Sequence, residues 1–162
     1  MKNLLYFFLL AVLPAGILLA GSKKTEEVPL QKLFSAPDTV TVSGKKLVLE
    51  AYLWRDFMPV SPPGGKPLQA AVYVKTADGD SLPSGLQIKK IWIVKGEEAW
   101  SAAPETAGNR KPPAQSDRLE SKVRGGPKWE PGSAVTVVVK FRDAAGGEYF
   151  LKAADLIIRR TD

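Results

Sequence analysis

Beyond residue 39, apolar and polar residues alternate along most of the chain with a period of two. The pattern is cleanest from Ser133 to Arg142, where Val135, Val137, Val139 and Phe141 fall on one side and Thr136, Val138, Lys140 and Arg142 on the other. Successive side chains of an extended backbone point to opposite faces, so this run predicts a strand with one buried face. Lys46 to Trp54 behaves alike: Leu47, Leu49, Ala51 and Leu53 oppose Val48, Glu50, Tyr52 and Trp54. Leu68 to Thr76 places Val72 and Val74 inward and Tyr73 and Lys75 outward. Shorter signals at Thr39 to Val42 and Arg118 to Arg124, and a closing run from Glu148 to Arg160 interrupted near Ala153-Ala154, bring the expectation to seven or eight strands.

Ile88 to Ala102 is the centre of this pattern. Two β-rich runs, IKKIWIV and EEAWSA, fold back at Lys95-Gly96, each with a tryptophan, which predicts a hairpin. In the first run Ile88, Trp92 and Val94 share a face with Lys90; the other face carries Lys89, Ile91, Ile93 and Lys95. The first face has the fewer charges and is expected to line the core.

The connections are rich in proline and glycine, which stop strands and shape turns. Arg55 to Pro67 reads RDFMPVSPPGGKP, and GGPKWEPG follows Arg124. Many short strands at such spacing, with no sustained helical period after the first residues, predict an all-β antiparallel sandwich over residues 39–162. The order resembles the immunoglobulin-like fold: a split first strand, a second at 68–76, a third carrying Trp92, a hairpin at Gly96, then a late strand and a final hairpin. The paired cysteines of true immunoglobulin domains are absent. This resemblance implies an architecture and no activity.

Residues 1–22, MKNLLYFFLLAVLPAGILLAGS, have a different composition: one cation at Lys2, an apolar run from Leu4 to Ala20, then small residues. That is the layout of a secretory signal peptide, with cleavage expected after Ser22. The run is also near the lower limit for crossing a bilayer, so a retained membrane anchor through residues 4–20 is the alternative. Leu19-Ala20-Gly21 is similar to the small-residue box of bacterial lipoprotein signals, in which a lipidated cysteine follows; here Ser22 follows and has no thiol to acylate. Either the protein is no lipoprotein or a serine stands in for the cysteine. Both readings imply a domain exported to the periplasm or cell surface. Residues 23–38 mix charges with Pro29 and Pro37 and read as a tether, or, at LQKLF, as a short helical turn packed on the domain.

Composition narrows the chemistry. The chain has no cysteine, which excludes disulfides and thiolate sites, and no histidine, which removes the commonest general base and zinc ligand. The net charge of +6 is spread over separated pairs such as Lys45-Lys46, Lys89-Lys90 and Arg159-Arg160. A dispersed excess favours solubility and weak attraction to anionic surfaces, not nucleic-acid binding. Asp78 and Asp80 begin a calcium-loop pattern, but Leu82 and Pro83 stand where further ligands are needed, so a plain turn is expected. Glu97-Glu98 are adjacent on an extended segment and point apart, and Asp143 and Glu148 flank a hairpin as solvated groups. No cofactor, metal or catalytic residue is expected.

The two proline-glycine loops each combine an aromatic, an arginine and a lysine with rigid backbone residues, and tryptophan, tyrosine, arginine and methionine are enriched where proteins grip partners. In an immunoglobulin-like order these loops and the Lys95-Gly96 turn leave the sandwich at one pole. The expected partner-binding residues are therefore Trp54, Arg55, Phe57, Met58, Lys95, Arg124, Lys128 and Trp129. The plainer reading is that Trp54 and Trp129 merely plug the ends of the core. The function expected is a non-enzymatic, exported envelope module that binds or assembles with a protein or an anionic envelope component. A membrane-tethered accessory subunit and an envelope carbohydrate-active enzyme are the alternatives.

Overall fold

The computed structural model describes residues 28–105 and 116–162. The leader at 1–22, the first part of the tether and most of the loop after Ala102 lie outside the described residues. The described residues form two facing antiparallel sheets. One contains β1 (Thr39–Val42), β2 (Lys45–Asp56), β3 (Leu68–Thr76) and β6 (Arg118–Gly126), in the order β1-β2-β3-β6. The other runs β5-β4-β7-β8, from β4 (Gln87–Lys95), β5 (Glu98–Ala102), β7 (Ala134–Arg142) and β8 (Glu148–Ile157). A short β9 (Arg159–Thr161) pairs in parallel with the end of β2, Trp54 opposite Arg159. The strand order is the one expected of an immunoglobulin-like sandwich. There are nine strands among the described residues where seven or eight were expected, because the closing run is cut at the buried Ile158 into β8 and β9.

The core follows the predicted alternation on most strands. Leu47, Leu49 and Leu53 of β2 meet Val72 and Val74 of β3 and Val135, Val137, Val139 and Phe141 of β7 in one cluster between the sheets. The irregularity expected near Ala153-Ala154 is present: the β7–β8 register shifts between Val135 and Val137, and Asp155 has φ 56°. Ser121 of β6 is also fully buried on the inner side, and its hydroxyl has no hydrogen-bond partner among the described residues.

The central hairpin corrects one expectation. The register between β4 and β7 shifts between Ile88 and Lys90, inserting one residue and reversing the parity of everything after it. Ile88, Ile91 and Ile93 therefore share the inner face, and Trp92 and Val94 point outward. They are buried all the same. The helix α1 (Leu30–Phe34) lies over them, with Leu33 and Ala36 packed on Trp92, Val94 and Val138. The Pro29 carbonyl accepts the amides of Lys32 and Leu33 at 2.9 and 3.3 Å, which starts the turn. Lys152 on β8 then ties it down, its main-chain N–H donating to Pro37 and its ammonium to Phe34 O, at 2.9 and 2.8 Å. LQKLF is thus part of the folded domain.

Candidate functional site

The strand directions carry the Arg55–Pro67 loop, the turn after Lys95, the loop after β6 and β9 to one pole, and they carry Asp78 to Gly85 to the other. What joins the loops is a side chain expected at the surface. Arg55 is only 2% exposed. The inward-facing side of β2 ends on it, and its guanidinium is spent on main-chain carbonyls: Nε donates to Lys66 at 3.0 Å, Nη1 to Lys128 at 3.1 Å and Trp129 at 3.2 Å, and Nη2 to Gly64. One planar fork of donors therefore holds two loops that the chain leaves far apart. Arg55 is unavailable to a partner and organises the pole instead.

Trp129 is likewise internal. It closes the core, and its indole N–H donates to Glu98 Oε2 at 2.8 Å while Lys95 Nζ lies 6.0 Å from its ring. For Trp129 the plainer expectation of a core plug holds; for Trp54 it does not. Phe57 is half-buried: its ring sits 4.9 Å from the Arg55 guanidinium carbon and 4.1 Å from that of Arg160, against Gly65. Gly65 has φ +74°, and a Cβ there would meet the ring at 2.7 Å. Beyond Phe57 a tight turn, closed by Ser61 N–H to Met58 O at 2.7 Å, lifts Met58 and Val60 clear of the domain, 48% and 85% exposed. Lys128 is exposed beside this loop, its Nζ 4.0 Å from where a Cβ on Gly64 would lie.

The remaining predicted residues, Trp54 and Arg124, lie around the corner on the outer face of the β1-β2-β3-β6 sheet. They form opposite sides of a groove of about 390 Å³, between which lie Gln69, Lys66 and Asp56. Asp56 is nearly buried and engaged once at each oxygen, which leaves acceptor capacity on both: Oδ2 takes the Lys66 ammonium at 2.6 Å and Oδ1 the Met58 amide at 2.9 Å. The Lys66 bond first, then the Met58 bond, holds its carboxyl below the usual aspartate range. Arg124 meets Glu105 only loosely, Nε to carboxylate at 3.5 Å. Trp54 and Tyr52 stand side by side with centroids 5.4 Å apart, and Arg159 lies 5.2 Å over Tyr52.

The predicted set thus divides three ways: a buried scaffold (Arg55, Trp129, with Lys95 at its rim), an exposed tip (Met58, Lys128, with Phe57 as its anchor) and a lateral groove (Trp54, Arg124). Arg159, Arg160 and Tyr52 were missed. Their only signal is the Arg-Arg pair near the chain end, and nothing local reveals that this segment pairs in parallel with β2. Of the acidic pairs weighed as chemistry, Asp78-Asp80 and Asp143-Glu148 are engaged in local bonds, and Glu98 accepts from Trp129. Asp78 caps the Asp80 amide at 3.1 Å, Asp80 pairs with Lys45, Asp143 accepts from Tyr149 and Gly147, and Glu148 is held by Lys140 and Arg142 rather than merely solvated. Among the described residues no group of three potential ligands is placed to hold a metal, and no helix is long and apolar enough to cross a membrane.

No protein-family model matches the chain, and no curated protein or solved structure matches it either.

Proposed function

We propose that this is a non-enzymatic binding or assembly module of the cell envelope, exported by its apolar leader, which grips a protein or anionic envelope partner through the pole organised by Arg55. The observation that carries the reading is the contrast within that pole. Beneath it, Arg55 and Trp129 use charged and aromatic side chains solely to fasten loops. Above it, Met58 and Val60 project into solvent with Lys128 and Arg160 close by, an apolar tip that contributes nothing to the core. Pro59, Pro62 and Pro63 stiffen the same loop, so little conformational freedom is lost on binding. Export is supported by the leader, a cation followed by the apolar run Leu4 to Ala20 and then small residues.

The test is recovery of envelope components on immobilised domain, with Met58→Ser and Lys128→Glu combined. Both side chains are exposed, so the fold should survive and recovery of a specific partner should fall at least tenfold. Unchanged recovery with the folded variant overturns the reading. Export is tested separately by the intact mass of protein secreted under its own leader, which should begin at Lys23.

A further inference from the structure

We infer that the lateral groove between Trp54 and Arg124 binds a carboxylated sugar unit, such as the uronic acid of an acidic saccharide; this rests on the reading of the pole as a binding surface. The chemistry of the walls selects the ligand. Trp54 is half-buried and lines the groove, so the part of its ring turned to the groove can meet the C–H side of a sugar ring; Tyr52, more exposed at 39%, stands beside it with Arg159 over its ring. Across the groove Arg124 is exposed, and its contact with Glu105, Nε to carboxylate at 3.5 Å, is loose. A guanidinium held this loosely can turn two parallel N–H donors toward a carboxylate in the groove.

The groove between them supplies both hydrogen-bond polarities. Gln69 can donate and accept, Lys66 retains protons beyond the one given to Asp56, and the Asp56 carboxylate accepts from hydroxyls. That mixture fits a hydroxyl-bearing ring. It does not fit a hydrocarbon, which would leave Gln69 dry and without a partner. The volume of about 390 Å³ lies at the small end of ordinary ligand sites. The walls are also preorganised: Arg55 Nε holds the Lys66 carbonyl at 3.0 Å, the Lys66 amide donates to Asp56 O at 2.8 Å, and Pro67 follows. The groove thus shares its foundation with the loop tip while presenting a different surface.

Titration of the folded domain with trigalacturonate, galactotriose and sodium acetate, followed by tryptophan fluorescence and amide shifts, tests this. Trigalacturonate should bind saturably, with amide shifts at Trp54, Gln69 and Gly125, and at least tenfold tighter than galactotriose. Arg124→Gln, a change at an exposed side chain, should bring the acidic sugar down to the level of the neutral one. Trp54→Ala should weaken both at least tenfold. The assignment is overturned if trigalacturonate does not saturate, if acetate binds as tightly as trigalacturonate, or if Arg124→Gln leaves the preference intact. Partner recovery depends on Met58 and Lys128 and sugar binding on Trp54 and Arg124, so either reading can fail while the other stands.

Discussion

Nη1 of Arg55 donates to the carbonyl of Trp129 at 3.2 Å, across 74 residues of sequence, and with it the guanidinium closes one pole of the sandwich. A charged side chain at the end of an inward-facing row of leucines is costly to bury unless its donors are satisfied. Here they are satisfied by carbonyls of two loops that have no regular ladder of their own.

Arg55→Met keeps an unbranched apolar stem and removes the donors. It leaves the carbonyls of Gly64, Lys66, Lys128 and Trp129 without their partner, and the expected loss is at least about 3 kcal/mol, since bonds to charged groups and stranded buried acceptors each count for 1–3. Urea melts measure it. A loss below about 1 kcal/mol would mean that the loops close without Arg55.

The parity reversal in β4 separates two adjacent residues. Ile93→Ala removes an inner-face side chain and should cost about 2–5 kcal/mol globally. Trp92→Ala acts on the outer cluster, so it should also release α1: the Ser35 and Ala36 amides, which bond to Gln31 and Leu33, should exchange much faster than the β4 core amides. Retained protection in α1 would show that Trp92 does not hold it.

Gly65→Ala meets two obstacles, a φ of +74° and a Cβ contact of 2.7 Å with the Phe57 ring. A stability loss of about 1–3 kcal/mol is expected, along with displacement of the Phe57 and Arg160 side-chain resonances. Wild-type stability in this variant would show that the loop relaxes freely.

Ser121→Ala goes the other way. A buried hydroxyl without a partner is removed, so stability should rise, by up to about 1 kcal/mol. A loss of more than that amount in denaturant melts would reveal a bond that the hydroxyl does make.

Stability should also depend on pH through Asp56 and Glu148. Asp56 is lowered by Lys66 and then the Met58 amide; Glu148 is lowered by Lys140 and then Arg142. A carboxylate with a lowered folded pKa adds stability that is whole above its ordinary value, 3.8 for Asp56 and 4.5 for Glu148, and fades as pH falls toward the folded value. Melts at pH 7 and pH 3 should therefore show a loss in acid, and Asp56→Asn should flatten it. An equal pH dependence in that variant would remove Asp56 from the account.

The strands of β2, β3 and β7 were legible in the sequence because a half-buried strand turns every second residue inward, and Leu47 to Leu53 and Val135 to Phe141 place an apolar residue at every such position. The loops were legible from proline and glycine, and the strand order placed them at one pole. The sequence by itself thus determined the sandwich, most of its core and the meeting of its loops. Three things were decided only in three dimensions. The bulge in β4 is a property of the pairing with β7, so the inner face of Ile88 to Val94 could not be read from β4 alone. The parallel docking of β9 depends on which edge of β2 is left open, and it brings Arg159 and Arg160 to the site. The division of the aromatic and basic residues into scaffold, tip and groove depends on burial. Composition sees Arg55 and Arg124 as the same residue; the inward parity of one and the exposed edge strand of the other make the first a buried fastener and the second a solvent-facing, loosely paired donor.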